Sequence, residues 1–146
     1  MRIHKLLPLI GCLLLTSCNS KEKQKEVIFD KNEISKNDFY SLNEDQYAVY
    51  IMSSFCADCE RLEDYYLEYI KHSDDDKFVN CYLINCSHQE LNFIENKELV
   101  ESQKGINNID DTYFFCTPSI YLIKNKVLDK VLIEKEDLKN FFTISE

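Results

Sequence analysis

Glycine, proline and positive charge are all scarce in this chain. Gly and Pro occur twice each among 146 residues, so we expect short polar loops and no low-complexity segments. Lys and Arg number 17 against 26 Asp and Glu, which gives a net charge of −9. Such an acidic chain has no electrostatic basis for binding nucleic acid. No internal repeat is visible, so repeat architectures are not indicated.

The apolar run near the N-terminus is too short to span a bilayer stably. It covers residues 6–15 and follows a short basic segment at residues 2–5, which is typical of a secretory signal peptide. The run ends in Leu-Thr-Ser-Cys at residues 15–18, which resembles the lipobox of bacterial lipoproteins. That resemblance implies that residues 1–17 are removed and that Cys18 carries the lipid anchor. The alternative is an ordinary signal peptide with an incidental cysteine.

Cleavage before Cys18 would leave an acidic mature protein. It removes two positive charges and moves the net charge from −9 to −11. Anionic lipid headgroups would not attract this chain, so membrane attachment would depend on the acyl chains. Residues 18–26 are polar, with Lys and Glu interspersed, and they are predicted to be a tether. Residues 27–146 are enough for a single domain with one core.

Hydrophobic periodicity gives an alternating order of strands and helices in the mature chain. Strands are predicted at residues 27–29, 47–53, 78–85, 119–124 and 127–133, and helices at residues 35–43, 60–72, 89–104 and 136–142. Gly105 is the expected C-cap of the third helix, and Asn125-Lys126 is the turn between the last two strands. This order predicts an α/β domain with a central mixed β-sheet flanked by helices on both faces.

The most informative motif is Cys56-Ala57-Asp58-Cys59, which lies between a predicted strand and a predicted helix. Two thiols at this spacing can close a small disulfide ring. The first thiol would lie at a helix N-terminus, where unpaired N–H groups and the macrodipole favour a thiolate. Such placement lowers a cysteine pKa from about 8.5 to roughly 3.5–7.5. We therefore assign Cys56 as the nucleophile and Cys59 as the resolving thiol of a thiol–disulfide exchange reaction.

Together with Thr117-Pro118 before a strand, the hairpin turn and the closing helix, this motif resembles the thioredoxin-like superfamily over residues 27–142. The resemblance implies a thioredoxin-like fold in which Pro118 is cis and faces the two cysteines across the substrate groove. It also implies that the Thr117 backbone pairs with an incoming peptide and that its hydroxyl touches the mixed disulfide. From sequence alone, a proline that simply opens a strand is the alternative.

Three features depart from the thioredoxin pattern. Phe55 stands where the family commonly has tryptophan, and Tyr50 stands where it has a buried aspartate that relays protons to the inner cysteine. These two substitutions weaken the expectation of general-base assistance. Residues 107–116 form a longer approach to the proline than is usual and include Asp110 and Asp111. This stretch either forms a loop beside the groove that selects substrates or extends the preceding helix, and we favour the helix extension.

Asp58 is a candidate redox-tuning residue. A carboxylate suits the first turn of a helix, where it contributes about 0.3–1 kcal/mol. The same carboxylate would repel a thiolate on Cys56 and raise the pKa of that thiol. A less stabilised thiolate makes the dithiol couple less oxidising. We therefore expect a reductase-like potential.

The remaining cysteines of the mature domain are Cys81, Cys86 and Cys116. Cys81 and Cys86 lie on one predicted strand about 16 Å apart, so they cannot form a disulfide. Cys86 and Cys116 fall at the sheet end that carries the CxxC motif, so an accessory redox role is the alternative to our preferred interpretation as small buried apolar residues. A zinc site combining the CxxC pair with Cys86 and His88 lacks a second close-spaced pair, and we expect no bound metal.

These features predict a lipid-anchored thiol–disulfide oxidoreductase of the bacterial cell envelope, on the periplasmic face or the cell surface. Disulfides persist in such compartments, which makes redox chemistry sensible there. No cofactor is implied, and we expect a monomer that exchanges disulfides with envelope proteins and with an unidentified redox partner. The alternative is a non-catalytic thioredoxin-like binding or scaffold module with a fixed CxxC disulfide, although so small a disulfide loop adds little stability.

Overall fold

The computed structural model describes residues 28–72 and 77–143 of the chain. The expected signal peptide, Cys18 and the tether lie outside the described residues. Within these two ranges, no helix combines the length and apolar character needed to cross a membrane.

A four-stranded mixed sheet forms the centre of the domain. Its strands are β1 (Gln46–Met52), β2 (Cys81–Asn85), β3 (Ser119–Lys124) and β4 (Val127–Leu132). The spatial order is β2-β1-β3-β4, with β1 parallel to β2 and antiparallel to β3, and with β3 antiparallel to β4. All residues from Tyr47 to Ile51 are buried, as expected for an inner strand that is covered on both faces.

Besides a helical stretch at residues 28–32, where the described chain begins, three α-helices and two short 3-10 helices surround this sheet. They are α1 (Ala57–Lys71), α2 (Lys97–Glu101), α3 (Lys135–Phe142), η1 (Lys36–Asp38) and η2 (Ile109–Asp111). Helices α1 and α3 cover one face, where the Tyr50 ring lies 5.3 Å from Tyr66 and 5.2 Å from Phe142. On the other face, Phe39 and Phe114 pack against Tyr121 of β3. Aromatic rings therefore supply much of the core on both sides.

Helix α1 buries one face because its apolar residues recur at helical spacing. Cys59, Leu62, Tyr66 and Tyr69 are buried, whereas the charged residues of the helix lie at positions between them. This periodicity continues for the whole helix, which explains why it was predictable from the sequence. The buried face holds the helix against the sheet and so fixes the position of its N-terminus.

The structure corrects several predicted element boundaries. Residues 28–32 are helical, so the strand predicted at 27–29 is wrong over its described part, and the Phe29 ring stacks on Tyr66 at 5.6 Å. The helix predicted at 35–43 is reduced to η1 followed by a turn. The predicted strand at 78–85 begins only at Cys81.

The helix predicted at residues 89–104 is reduced to the five residues of α2. Asn96 caps that helix by accepting the N–H of Leu99, so the helix begins in the middle of the predicted segment. The residues before it pair with a distant segment: the Ile94 N–H donates to the Phe114 carbonyl at 2.8 Å. Gly105 lies beyond the Ser102 C-cap, where it adopts a left-handed φ of 94°.

The chain order confirms the expected fold class. Strand β1 leads through the CxxC motif into α1, which crosses to the parallel strand β2. The Thr117–Pro118 peptide bond is cis, as the resemblance implied, and it opens the antiparallel hairpin of β3 and β4. Helix α3 then closes the domain. This arrangement is the thioredoxin-like fold, an α/β architecture with a mixed sheet between two helical layers.

Candidate active site

The CxxC motif lies at the carboxyl end of β1, where the chain turns into α1. Cys56 is the N-cap of α1, and its Sγ accepts the backbone N–H of Cys59 at 3.2 Å. Cys59 is inside the first turn and only 2% exposed, whereas Cys56 is half-buried. The structure therefore places Cys56 outside and Cys59 inside, which is the arrangement that the assigned roles require.

The surroundings of Cys56 favour its thiolate. Partial burial opposes ionisation, but several hydrogen bonds to the sulfur outweigh it and lower the pKa of Cys56 below the ordinary thiol value. These bonds come from the side chains of Cys59 and Thr117 and from the backbone N–H groups of Cys59 and Asp58. The N-cap position is thus the physical source of the expected nucleophilicity.

The surroundings of Cys59 act in the opposite direction. Burial is the main cause that raises the pKa of Cys59 to about 12, and its hydrogen bond to Cys56 adds to this effect. One thiol of the pair is therefore easily ionised while the other keeps its proton. This separation is typical of dithiols in which the outer sulfur attacks first.

Tyr50 lies beneath the thiol pair on β1. Its side chain is 1% exposed, and its hydroxyl has no hydrogen-bond partner of acceptable geometry among the described residues. Burial, followed by the charge of Cys59, raises the pKa of Tyr50 far above the ordinary phenol value. Tyr50 consequently remains protonated and cannot replace a carboxylate as a proton acceptor for Cys59.

Thr117 faces the nucleophile from the segment before β3. The Cys56 thiol donates to the Thr117 carbonyl at 3.4 Å. The register that pairs Ile51 with Ser119 brings this segment alongside the end of β1. Thr117 and Pro118 therefore form the wall opposite the CxxC motif, and their assignment to substrate binding stays a prediction.

Asp58 is held by two cations. One carboxylate oxygen, Oδ1, lies 2.8 Å from Lys135 Nζ and 2.7 Å from an Arg61 side-chain nitrogen. The hydrogen bond with Lys135 is the main cause that lowers the pKa of Asp58. Because both cations offset its charge, the expected repulsion of a Cys56 thiolate is reduced. The tuning role of Asp58 stays a prediction.

The other cysteines differ in their surroundings. Cys81 is 2% exposed, which agrees with a small buried apolar residue, and Cys86 is half-buried. Cys116 is exposed, so its interpretation as a buried residue is wrong. It lies in the surface segment that leads to β3, and burial among its neighbours still raises the pKa of its thiol. In the described part of the chain, no three His, Cys, Asp or Glu side chains are grouped as metal ligands, so the zinc alternative has no support there.

Two depressions flank the thiol pair. A cleft of about 420 Å³ contains Cys56 and is lined by four carboxylates, those of Asp30, Glu33, Glu60 and Glu63. A more apolar groove of about 520 Å³ lies on the Thr117 side. It is lined by Phe93, Ile94, Phe115, Cys86 and Cys116, among others. A molecule bound at Cys56 would therefore meet carboxylates on one side and apolar groups on the other.

Residues 107–116 do not extend a helix, so the interpretation that we favoured is wrong. The segment contains η2 and returns to the core, where Phe114 is 1% exposed and packs edge-on against Phe39. Asp110 is exposed on the short 3-10 helix, whereas Phe115 lines the apolar groove. A role of this segment in selecting substrates stays a prediction.

Sequence reasoning missed two sets of residues at the site. One is a polar network in which Ser53 bonds Ser87 at 3.1 Å and Asn85 donates to Ser54 at 3.0 Å. It ties the turn before Cys56 to the end of β2, and two serines directly after a strand were its only signal. The other is Lys135, which reaches the CxxC motif from a distant helix and has no local signal.

Comparisons with known proteins identify structural neighbours only. No family model and no curated protein matches the chain. Among solved structures, thioredoxin f2 of Chlamydomonas reinhardtii is 19% identical, with a TM-score of 0.46 over 73% of this chain and 87% of its own. Mitochondrial thioredoxin 3 of Saccharomyces cerevisiae, in its oxidised form, is 12% identical, with a TM-score of 0.48 over 77% and 94%. Thioredoxin f of spinach chloroplast is 15% identical, with a TM-score of 0.45 over 82% and 90%. At these values the fold assignment depends on the topology described above.

Proposed function

We propose that this protein is a thiol–disulfide oxidoreductase that exchanges disulfides with protein substrates through Cys56 and Cys59. The observation that carries the proposal is the opposite environment of the two thiols. Cys56 caps a helix and has a lowered pKa, whereas Cys59 is buried one turn inside with a pKa raised to about 12. A fixed structural disulfide has no need for such a difference.

The reaction proceeds in two exchange steps. The Cys56 thiolate attacks one sulfur of a substrate disulfide, a new S–S bond forms, and the leaving sulfur departs as a thiolate that takes a proton. Cys59 then loses its proton and attacks the Cys56 sulfur. This releases the second substrate thiol and leaves a Cys56–Cys59 disulfide. The substrate gains two electrons and the protein loses two, so an external dithiol reductant must restore the starting state.

Thr117 would support the first step. Its hydroxyl already interacts with both sulfurs, and its carbonyl faces Cys56 at 3.4 Å. An extended substrate segment linked to Cys56 would therefore lie along the Thr117 backbone, where main-chain pairing holds it in place. A reductase-like potential and the use of Asp58 as a tuning residue belong to the same proposal.

Single-cysteine variants test the mechanism. We expect Cys59→Ala to accumulate mixed disulfides with substrate proteins, because no thiol remains to resolve them, and Cys56→Ala to form none. Cys81→Ala is the matched control, since it removes a buried thiol outside the pair. The wild-type protein should also accelerate insulin reduction by dithiothreitol. If neither variant traps a partner and insulin reduction is not accelerated, the fixed-disulfide scaffold takes the place of the enzyme.

We also propose that the mature protein is anchored to the cell envelope through a lipid on Cys18. The proposal depends on the lipobox-like sequence at residues 15–18, which lies outside the described structure. Expression in a bacterial host should give palmitate labelling, which Cys18→Ser abolishes while leaving an uncleaved precursor. The Cys12→Ser variant is a matched control from the same segment. Equal labelling of wild type and Cys18→Ser would eliminate the anchor.

A further inference from the structure

Lys135 reaches the CxxC motif from the opposite end of the domain sequence. It is the first residue of α3, and its Nζ lies 2.8 Å from the Asp58 carboxylate. A cation at a helix N-terminus opposes the macrodipole, whereas Glu136 and Asp137, which follow it, obey the usual preference. Helix stability therefore does not explain this lysine, and its contact with Asp58 does.

Asp58 is well placed to act on Cys56. It is the second residue of the first turn of α1, and its backbone N–H is among the donors to the Cys56 sulfur. Lys135 Nζ and Arg61 share the same Asp58 oxygen. Arg61 comes from the same helix, so Lys135 is the contact that depends on the docking of α3.

We propose that Lys135 is a positioning residue for the thiol pair: it binds and neutralises the Asp58 carboxylate, and thereby keeps Cys56 a fast nucleophile. The inference rests on the proposed function, since it concerns the reactivity of the same thiol. Lys135 does not touch the reacting sulfur. Without it, Asp58 would carry a less compensated negative charge beside the developing thiolate and would slow its formation.

Other ionisable groups around Cys56 also influence how easily its thiol ionises. They are Cys59, Glu60 and Glu63 on α1, Tyr50 on β1, Cys86 and His88 after β2, Cys116 before β3, and Asp30 and Glu33 near the start of the described chain. Apart from His88, these groups are neutral or become negative on ionisation. Lys135 and Arg61 are the cations that bind the Asp58 carboxylate in the described part of the chain.

The pH dependence of Cys56 alkylation tests the proposal. Iodoacetamide modification of Cys56 would be followed by peptide mass spectrometry at low ionic strength. Below the Cys56 midpoint, Lys135→Gln should lower the rate about threefold, since the less compensated charge of Asp58, two residues from the thiol, is only partly screened at low ionic strength. The midpoint should move to higher pH by the matching amount. Lys135→Arg should keep the wild-type profile.

Two further variants make the test specific. Lys71→Gln removes a similar exposed ion pair, 2.8 Å from Glu68 at the far end of α1, and should leave the profile unchanged. In an Asp58→Asn background, Lys135→Gln should have a clearly smaller effect, because the charge that Lys135 neutralises, and that holds it at the motif, is absent. The proposal is overturned if Lys135→Gln behaves like Lys71→Gln, or if it slows alkylation equally without Asp58. Failure of the proposed function looks different: insulin reduction is absent whatever residue occupies position 135.

Discussion

The buried hydroxyl of Tyr50 makes a prediction whose sign is unusual. Replacing a buried tyrosine by phenylalanine normally destabilises a protein, because a satisfied hydrogen bond is lost. Tyr50 is 1% exposed, but its hydroxyl has no partner of acceptable geometry among the described residues. We therefore expect Tyr50→Phe to stabilise the domain.

The magnitude follows from the cost of an unsatisfied buried polar group. Leaving such a group unpaired costs about 1–3 kcal/mol, and Tyr50→Phe removes it while keeping the ring. The ring contacts with Tyr66 and Phe142, at 5.3 and 5.2 Å, remain available to phenylalanine. The hydroxyl also interacts weakly with Cys59, and losing this interaction offsets part of the gain. We expect a net stabilisation of about 1 kcal/mol, or about 4 °C in Tm for a domain of this size.

Tyr47 on the same strand is the matched control. It is equally buried, but its hydroxyl donates to the Phe39 carbonyl at 2.7 Å. Tyr47→Phe should cost about 1 kcal/mol or more, because it also leaves that carbonyl unpaired. Urea unfolding of the reduced proteins would give both differences in free energy. If Tyr50→Phe is destabilised as much as Tyr47→Phe, the hydroxyl has a partner and the reasoning is refuted.

Three further predictions concern the thiol site. The pKa values of Cys56 and Cys116 are shifted in opposite directions. In the reduced protein, peptide-resolved alkylation should therefore give Cys56 a pH midpoint below the ordinary thiol value and Cys116 a midpoint above it. Coincident midpoints would contradict this prediction. The carboxylates around Cys56 should make cationic cystamine react with Cys56 faster than anionic dithiodipropionate does. The double variant Glu33→Gln with Glu60→Gln should reduce the ratio of these two rates more than the remote pair Asp45→Asn with Glu98→Gln. Equal ratios in both double variants would show that the cleft carboxylates do not attract the cationic disulfide. Phe93 lines the apolar groove, so Phe93→Ser should slow reduction of insulin more than reduction of the small hydroxyethyl disulfide. Leu99→Ser is the control and should affect neither reaction, since Leu99 is similarly exposed, at 44% against 42% for Phe93.

The elements that the sequence predicted well are those whose signals are local. Helix α1 has a continuous helical periodicity, β1 and β3 are largely apolar runs, and β4 has apolar pairs at both ends. The pair Asn125 and Lys126 adopts φ values of 51° and 62°, as a tight hairpin between two strands requires. Each of these features is decided by a few consecutive residues.

The segment at residues 89–104 was mispredicted because a distant partner decided its structure. Its apolar residues fit a helical period, yet residues 89–96 form no helix, and Phe93 makes a β-bridge with Phe114 instead. Asn96 is a cap-type residue inside this pattern, and a helix predicted to begin there would have been shorter. The N-terminal end of the helix was therefore visible at Asn96, whereas the pairing of Phe93 with Phe114 is a tertiary contact that overrode the local preference.

At the site, the placement of the two thiols was predictable and that of their neighbours was not. The N-cap position of Cys56 follows from the order of strand, motif and helix. The prediction for Asp58 considered only its own charge, because nothing near it in sequence indicates that α3 returns with Lys135. The sign of an electrostatic effect is therefore the least predictable property of this site, since it depends on which distant charges are brought together.

The position of Tyr50 also bears on how the second step loses its proton. While Cys56 is a thiolate, the Cys59 thiol donates to it, and this bond disappears once Cys56 is part of a mixed disulfide. Tyr50 cannot accept the proton because burial keeps its hydroxyl protonated. The substrate thiolate released in the first step is formed close to the same sulfur pair and can accept this proton, as water can. Besides burial, the hydrogen bond to Cys56 and the charge of Cys56 both raise the pKa of Cys59, so forming the mixed disulfide removes two causes that hold the resolving proton. The first exchange step therefore prepares the resolving thiol for the second.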